Sequence, residues 1–212
     1  GADGGPGNRN RIGAARPVSE SLAAHLRGYF RGAGIDTEPD SAGVTFLGVE
    51  RMDVQRYGPG SVGVYHHVSV GCSRHPMADP SAVVVDPVAG PRAEVVLSLR
   101  AGAPTPGLVR SLAVIAATPA VDGVVLVPDL LVDLGAPLWE GAPFTAVLLE
   151  SAAIPDLALE PPRDPVRFLA AVPVTPTEAA WVRLKGADAM RAAWADDGVD
   201  VLNPARRAAA PK

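Results

Sequence analysis

The densest collection of reactive side chains is His66, His67, Cys72 and His75, whose types could ligate zinc or couple a thiol to an imidazole. The spacing argues against a metal. Adjacent residues on an extended strand project to opposite faces, so His66 and His67 cannot readily share an ion, and no second cysteine completes a ligand set. No metal and no cofactor are expected. Cys72 paired with His75 or His66 would be the nucleophile and base of a small hydrolase, which is the enzymatic alternative. A cysteine at the end of a valine row is more often buried and inert. The run Gly71-Cys72-Ser73-Arg74-His75 lacks the second glycine of a nucleophile elbow, and the glycine clusters near Gly4 and Gly58 lack the lysine and helix of a phosphate loop. Glu94, Glu140, Glu150 and Glu178 cannot be paired from sequence. The expectation is a chain that is not an enzyme.

The element that must position these side chains is a strand over Val62 to Cys72. Val62, Val64, His66, Val68 and Val70 share one face, and Tyr65, His67 and Ser69 share the other. The valine face is expected to be buried, with His66 a hydrogen-bonded core histidine. The Tyr65, His67 and Ser69 row is then the outward, partner-binding row. An extended peptide held along it by main-chain pairing is the expected ligand.

Around this strand, the most readable stretch runs from Pro165 to Gly198. Val166 to Val172 alternates as a mostly buried strand that Pro173 ends. Thr175-Pro176-Thr177-Glu178 is a capping box with proline at the first helical position. The helix it opens has Trp181, Val182 and Leu184 on its apolar side, is interrupted by Gly186, and resumes through Met190, Ala193 and Trp194. An earlier helix from Val18 carries Leu22, Leu26, Tyr29 and Phe30 on one face, with Ser19 as its cap. Another opens at Thr105-Pro106, carries Leu108, Leu112 and Ile115, and ends at Thr118-Pro119. Further strands are predicted at 44–49, 51–57, 92–100, 123–127 and 144–150. Strands outnumber helices without regular alternation, so the fold class is α+β, a mixed, largely antiparallel sheet covered by helices.

Composition sets the outer limits. The chain has 212 residues, nearly half apolar but with few aromatics, and 22 glycines and 22 prolines, which predicts an aliphatic core with short, abruptly ended elements. It is read as one domain over 17–207, with a polar N-terminal tail at 1–16 and a frayed C-terminal tail at 208–212. A net charge of −4 with dispersed Lys and Arg gives no footprint for a phosphate backbone, so nucleic acid is not an expected partner. The lone cysteine suits a reducing compartment, and neither a secretory leader nor a spanning segment is legible, so a cytoplasmic location is expected, away from membranes.

Three stretches, in order, belong together: His66-His67-Val68-Ser69-Val70-Gly71-Cys72-Ser73; Arg92 to Leu99; and Phe168 to Glu178, followed by a glycine-interrupted helix and Asn203-Pro204-Ala205-Arg206. Taken together they resemble the suppressor of fused-like domain family, with Gly71 and Ser73 matching a family strand ending and Glu94 at the family's glutamate. Ser69 stands where threonine is usual, Cys72 where leucine is usual, and Asn203 where an acid is common before Arg206. The resemblance implies a non-enzymatic protein-binding domain. Animal relatives look like cytoplasmic regulators that sequester a transcription factor by gripping an extended peptide. Bacterial relatives resemble immunity proteins that neutralise toxins.

Overall fold

Nine residues, Val166–Val174, buried at all but Arg167 and Ala170, form the interior strand β7, which runs through Pro173 instead of ending there as expected, and its neighbours follow from pairing on both sides. In the computed structural model, which describes residues 16–79 and 81–211, the elements run α1 (Val18–Gly32), β1 (Asp40–Val44), β2 (Met52–Tyr57), β3 (Val64–Val70), a 3-10 turn (Cys72–Arg74), β4 (Arg92–Arg100), α2 (Leu108–Asp122), β5 (Leu131–Asp133), β6 (Ala146–Ser151), β7, α3 (Pro176–Lys185) and α4 (Ala187–Asp196). All seven strands join one sheet in the order β1-β2-β3-β4-β7-β6-β5. Only β4 and β7 run parallel, so the sheet is mixed and largely antiparallel, as its sequence pattern predicts. The expected tail at 1–16 lies, but for Arg16, outside the described residues.

Helices cover both faces. One face carries Val54, Val95, Leu97 and Ala171 under Leu108, Leu112 and Ile115 of α2. On the other, Val68, Val96 and Phe168 pack under Leu22, Leu26 and Phe30 of α1, while Leu148, Val172 and Val174 pack under Val182, Met190 and Trp194 of α3 and α4. Fully burying an aliphatic side chain stabilises by about 1.5–3 kcal/mol, so these three clusters are what ties helices to sheet.

Several local expectations are corrected. Pro17, not Ser19, stands at the N-cap of α1, and no side chain caps it. Helix α2 passes through Pro119 to end at Gly123, whose φ of 65° is the left-handed conformation glycine adopts freely. Proline has no N–H for the carbonyl four residues back, but the Thr118 hydroxyl donates to that same Ile115 carbonyl at 2.7 Å, so no acceptor is orphaned. The strand expected at 44–49 lies earlier, at Asp40–Val44, and 123–127 forms no strand; Leu131–Asp133 does. Val62 lies in the turn before β3 and is 72% exposed. On α3 the buried side chains are Glu178, Ala179 and Val182, whereas Leu184 is 74% exposed and Trp181 half-buried. The C-terminal fraying expected from residue 208 does not hold at Ala209, which is buried and donates its N–H to Glu178 Oε2 at 3.1 Å.

Candidate functional site

The row Tyr65, His67 and Ser69 does share one face of β3, but α2 lies over that face. His67 is 6% exposed and Ser69 fully buried; only Tyr65 stays half open. The expectation that His67 and Ser69 face outward is therefore corrected: alternation separates two faces, but a helix from another part of the chain covers the polar one. His67 Nδ1 lies 3.2 Å from the Leu97 carbonyl, and burial pushes its pKa down to about 4, so the ring is neutral at physiological pH. Tyr65 carries the Arg56 guanidinium over its ring at 4.5 Å.

Ser69 acts on the sheet itself. Regular β3–β4 pairing ends at Val68 and Val96. One residue on, the Ser69 hydroxyl accepts from Val95 N at 2.8 Å and donates to Glu94 Oε1 at 2.8 Å, so a side chain replaces the ladder. Glu94 is fully buried and gathers the turn that follows. Its carboxylate accepts from the amides of Gly71, Cys72 and Ser73 at 3.2, 3.2 and 2.9 Å, and from the Ser73 hydroxyl. Burial raises its pKa despite those bonds. Arg92, two residues earlier, donates to the Ser73, Arg74 and Val88 carbonyls, so β4 holds the turn's amides with one side chain and its carbonyls with another.

The four candidate catalytic residues do not converge. Cys72 and His75 line one cavity of about 240 Å3, His67 lines a groove beneath α2, and His66 lies on the opposite face of the sheet. Burial, with Glu94 nearby, pushes the Cys72 thiol well above its usual range, which suppresses the thiolate a nucleophile requires. His75 is exposed and bonds Glu50 at 2.8 Å. Among the described residues, no group of three His, Cys, Asp or Glu side chains is placed to hold a metal.

What the structure does expose is an edge. Among the described residues strand β1 pairs only with β2, and Asp40, Ser41, Ala42 and Gly43 are all exposed. Beside it a groove of about 290 Å3 runs between β1 and the start of α2, lined by Ala42, Val54, Arg56, His67, Thr105 and Leu108. An unpaired strand edge beside a groove offers main-chain hydrogen bonds and side-chain pockets together, the requirement for recognising an extended peptide. Sequence reasoning missed this edge because residues 40–44 carry no hydrophobic alternation. No helix among the described residues is long and apolar enough to cross a membrane.

Comparison with known proteins bears on the whole fold. A suppressor of fused homologue from Neisseria gonorrhoeae superposes with a TM-score of 0.62 at 19% identity, covering 90% of this chain and 95% of that one. A chain of a Sufu–Fu complex does so at 0.65 and 15% identity, covering 92% of each. Suppressor of fused from Drosophila gives 0.61 at 16% identity, and there the match spans 91% of this chain but about half, 51%, of the fly protein. No curated protein sequence matches the chain. The family described as suppressor of fused protein (SUFU) matches residues 48–207, and those residues include Gly71, Ser73, Glu94, Glu178 and Arg206; the chain belongs to the suppressor of fused family.

Proposed function

We propose that this chain is a non-enzymatic protein-binding module that adds an extended segment of a partner protein to the free edge of β1, with side chains of that segment entering the groove over Arg56 and His67. The exposed β1 edge beside that groove carries the reading. Of the predicted row, Tyr65 and His67 would contact the segment, and Ser69 would hold the strand that presents them. Burial of the Cys72 thiol and separation of the histidines weigh against the hydrolase alternative. By family resemblance, the partner is read as a toxin neutralised in the cytoplasm, the chain serving as its immunity protein; nucleic acid and membrane are not read as partners. Affinity capture from the native organism should retain a protein on the wild-type chain that is lost on both Ala42→Arg and Tyr65→Ala, with melting temperatures unchanged. Its co-expression without the chain should arrest growth. Retention at full affinity by both variants would place the binding surface elsewhere, and a harmless partner would remove the immunity reading alone.

A further inference from the structure

The opposite face of the sheet is incompletely covered. Helix α1 and the α3–α4 pair sit over separate clusters, and between them His66, Ser98, Ala170 and Glu150, from β3, β4, β7 and β6, are only partly buried. Two depressions open there. One, of about 260 Å3, has apolar walls of Ile35, Pro59, Val62, Val64 and Leu202; the other, of about 210 Å3, runs past Ser98, Ala170 and Ile154 to Glu150. Tyr29, Phe30 and His66 line both, so they form one trough with a shared wall.

Its two ends differ in chemistry. At the first, no charged side chain lines the wall and Val62 is left 72% exposed, an apolar group with nothing over it. At the second, Arg191 alone meets three carboxylates: Asp129 at 2.6 Å, Glu150 at 3.1 Å and Asp188 at 3.3 Å. Of the three only Glu150 lines the depression, sharing Arg191 with two further carboxylates, so its negative charge is only partly compensated. On the floor, His66 Nδ1 lies 2.7 Å from Ser98 Oγ, while Nε2 has no hydrogen-bond partner among the described residues and can serve a ligand. Burial holds the His66 imidazole below its usual range, so at neutral pH the floor does not repel a cation.

We propose that this trough is a second binding site, for an extended peptide segment that sets an aliphatic side chain in the Ile35–Val62 depression and a Lys or Arg side chain against Glu150. The alkyl stem of the basic residue lies along Ile154 and Tyr29, and its charge meets the Glu150 carboxylate, which shares its one cation with Asp129 and Asp188; this is the usual division of labour for a long cationic side chain. The site is on the face of the sheet away from the β1 groove and does not depend on it.

The test uses capped Leu-Gly-Arg and Leu-Gly-Gly-Arg peptides titrated into the full chain, followed by amide NMR shifts. At least one peptide should shift Ser98, Ala152 and Ala153 saturably, and its Leu-Gly-Glu or Leu-Gly-Gly-Glu counterpart should not. Glu150→Gln, which preserves shape and can still accept from Arg191, should weaken binding by about tenfold, the loss of roughly one rim charge contact. Val62→Ser, at an exposed position, should weaken it as well, whereas Ala42→Arg at the β1 edge should leave it unchanged. Absence of saturable shifts with both peptides, equal binding of the acidic peptides, or indifference to Glu150→Gln and Val62→Ser would overturn the proposal.

Discussion

Among the described residues two glutamates are fully buried, Glu94 and Glu178, and they are held in opposite ways. Glu94 meets only neutral donors, three backbone amides and the hydroxyls of Ser69 and Ser73, and burial wins: its pKa is raised. Glu178 is equally inaccessible to solvent but lies nearer the surface; Arg206 donates to both of its oxygens at 2.8 and 2.9 Å, Trp194 Nε1 adds a bond at 2.8 Å, and Thr175 N and Ala209 N add two more. There the bonds outweigh burial and the pKa is lowered. Two things differ, the depth of the site and one guanidinium, and only the guanidinium brings a charge. Amide donors organise a carboxylate without compensating its charge, whereas a buried cation compensates it and ties together the segments that supply the donors.

The sharpest way to break that contrast is to remove the cation. Arg206→Ala leaves Glu178 buried with no counter-charge, and chemical denaturation should show a loss of about 3–5 kcal/mol. A loss under ~1 kcal/mol would mean that Glu178 is as self-sufficient as Glu94.

The next effect lies in pH dependence. Glu178 has a folded pKa below its ordinary 4.5, so its contribution is present above that value and lost as pH falls through the lowered one. Glu94 has a folded pKa above 4.5, so its contribution is complete below that value and lost as pH rises through the raised one. Glu178→Gln should accordingly cost most near neutrality and less in acid. For Glu94→Gln the gap from wild type should be widest in acid and narrow as pH rises. Each should span about 1–3 kcal/mol, the scale of hydrogen bonds to a buried charge, and denaturant midpoints taken across the acid range read both. Gaps that move in the same direction would erase the distinction between the two sites.

The smallest effect isolates the cap from the ion pair. Thr175 Oγ1 accepts from Glu178 N at 3.1 Å, and Thr175→Ala should cost about 1 kcal/mol without altering the pH dependence of either glutamate site. A much larger cost would show that the cap also positions the Glu178 carboxylate for Arg206.

The two duties of Glu178 differ in how far the sequence discloses them. The capping box was legible because Thr175 and Glu178 are three residues apart and their reciprocal bonds are local. The second duty of Glu178 was not, because Arg206 lies 28 residues away and only the docking of the C-terminal segment brings them together. The same limit applies to β3: alternation separated the His66 face from the His67 face, but whether α2 or solvent lies over His67 depends on where a distant helix packs. On α3, Trp181, Val182 and Leu184 read as one apolar side, yet 100° per residue carries Leu184 around to solvent, while Glu178 joins Val182 on the buried side. The edge strand carrying the proposed partner site left no hydrophobic pattern, since an exposed edge buries little.

The turn at Gly71–Arg74 has a consequence for engineering. Because Glu94 fastens that turn to β4, Met77 N donates to the Pro91 carbonyl at 2.7 Å and Arg92 reaches the Val88 carbonyl, both ends of the following loop are held at its base, and residues 81–87 form a handle beyond them. Its outer part is exposed, with Val83, Val84 and Val85 at 100, 84 and 58%. Lengthening such a segment costs only loop-closure entropy, about 0.6 kcal/mol for each doubling. A reporter domain or affinity sequence grafted there would leave the sheet, both grooves and the two buried carboxylates in place, and would allow the chain to be displayed with both of its faces free.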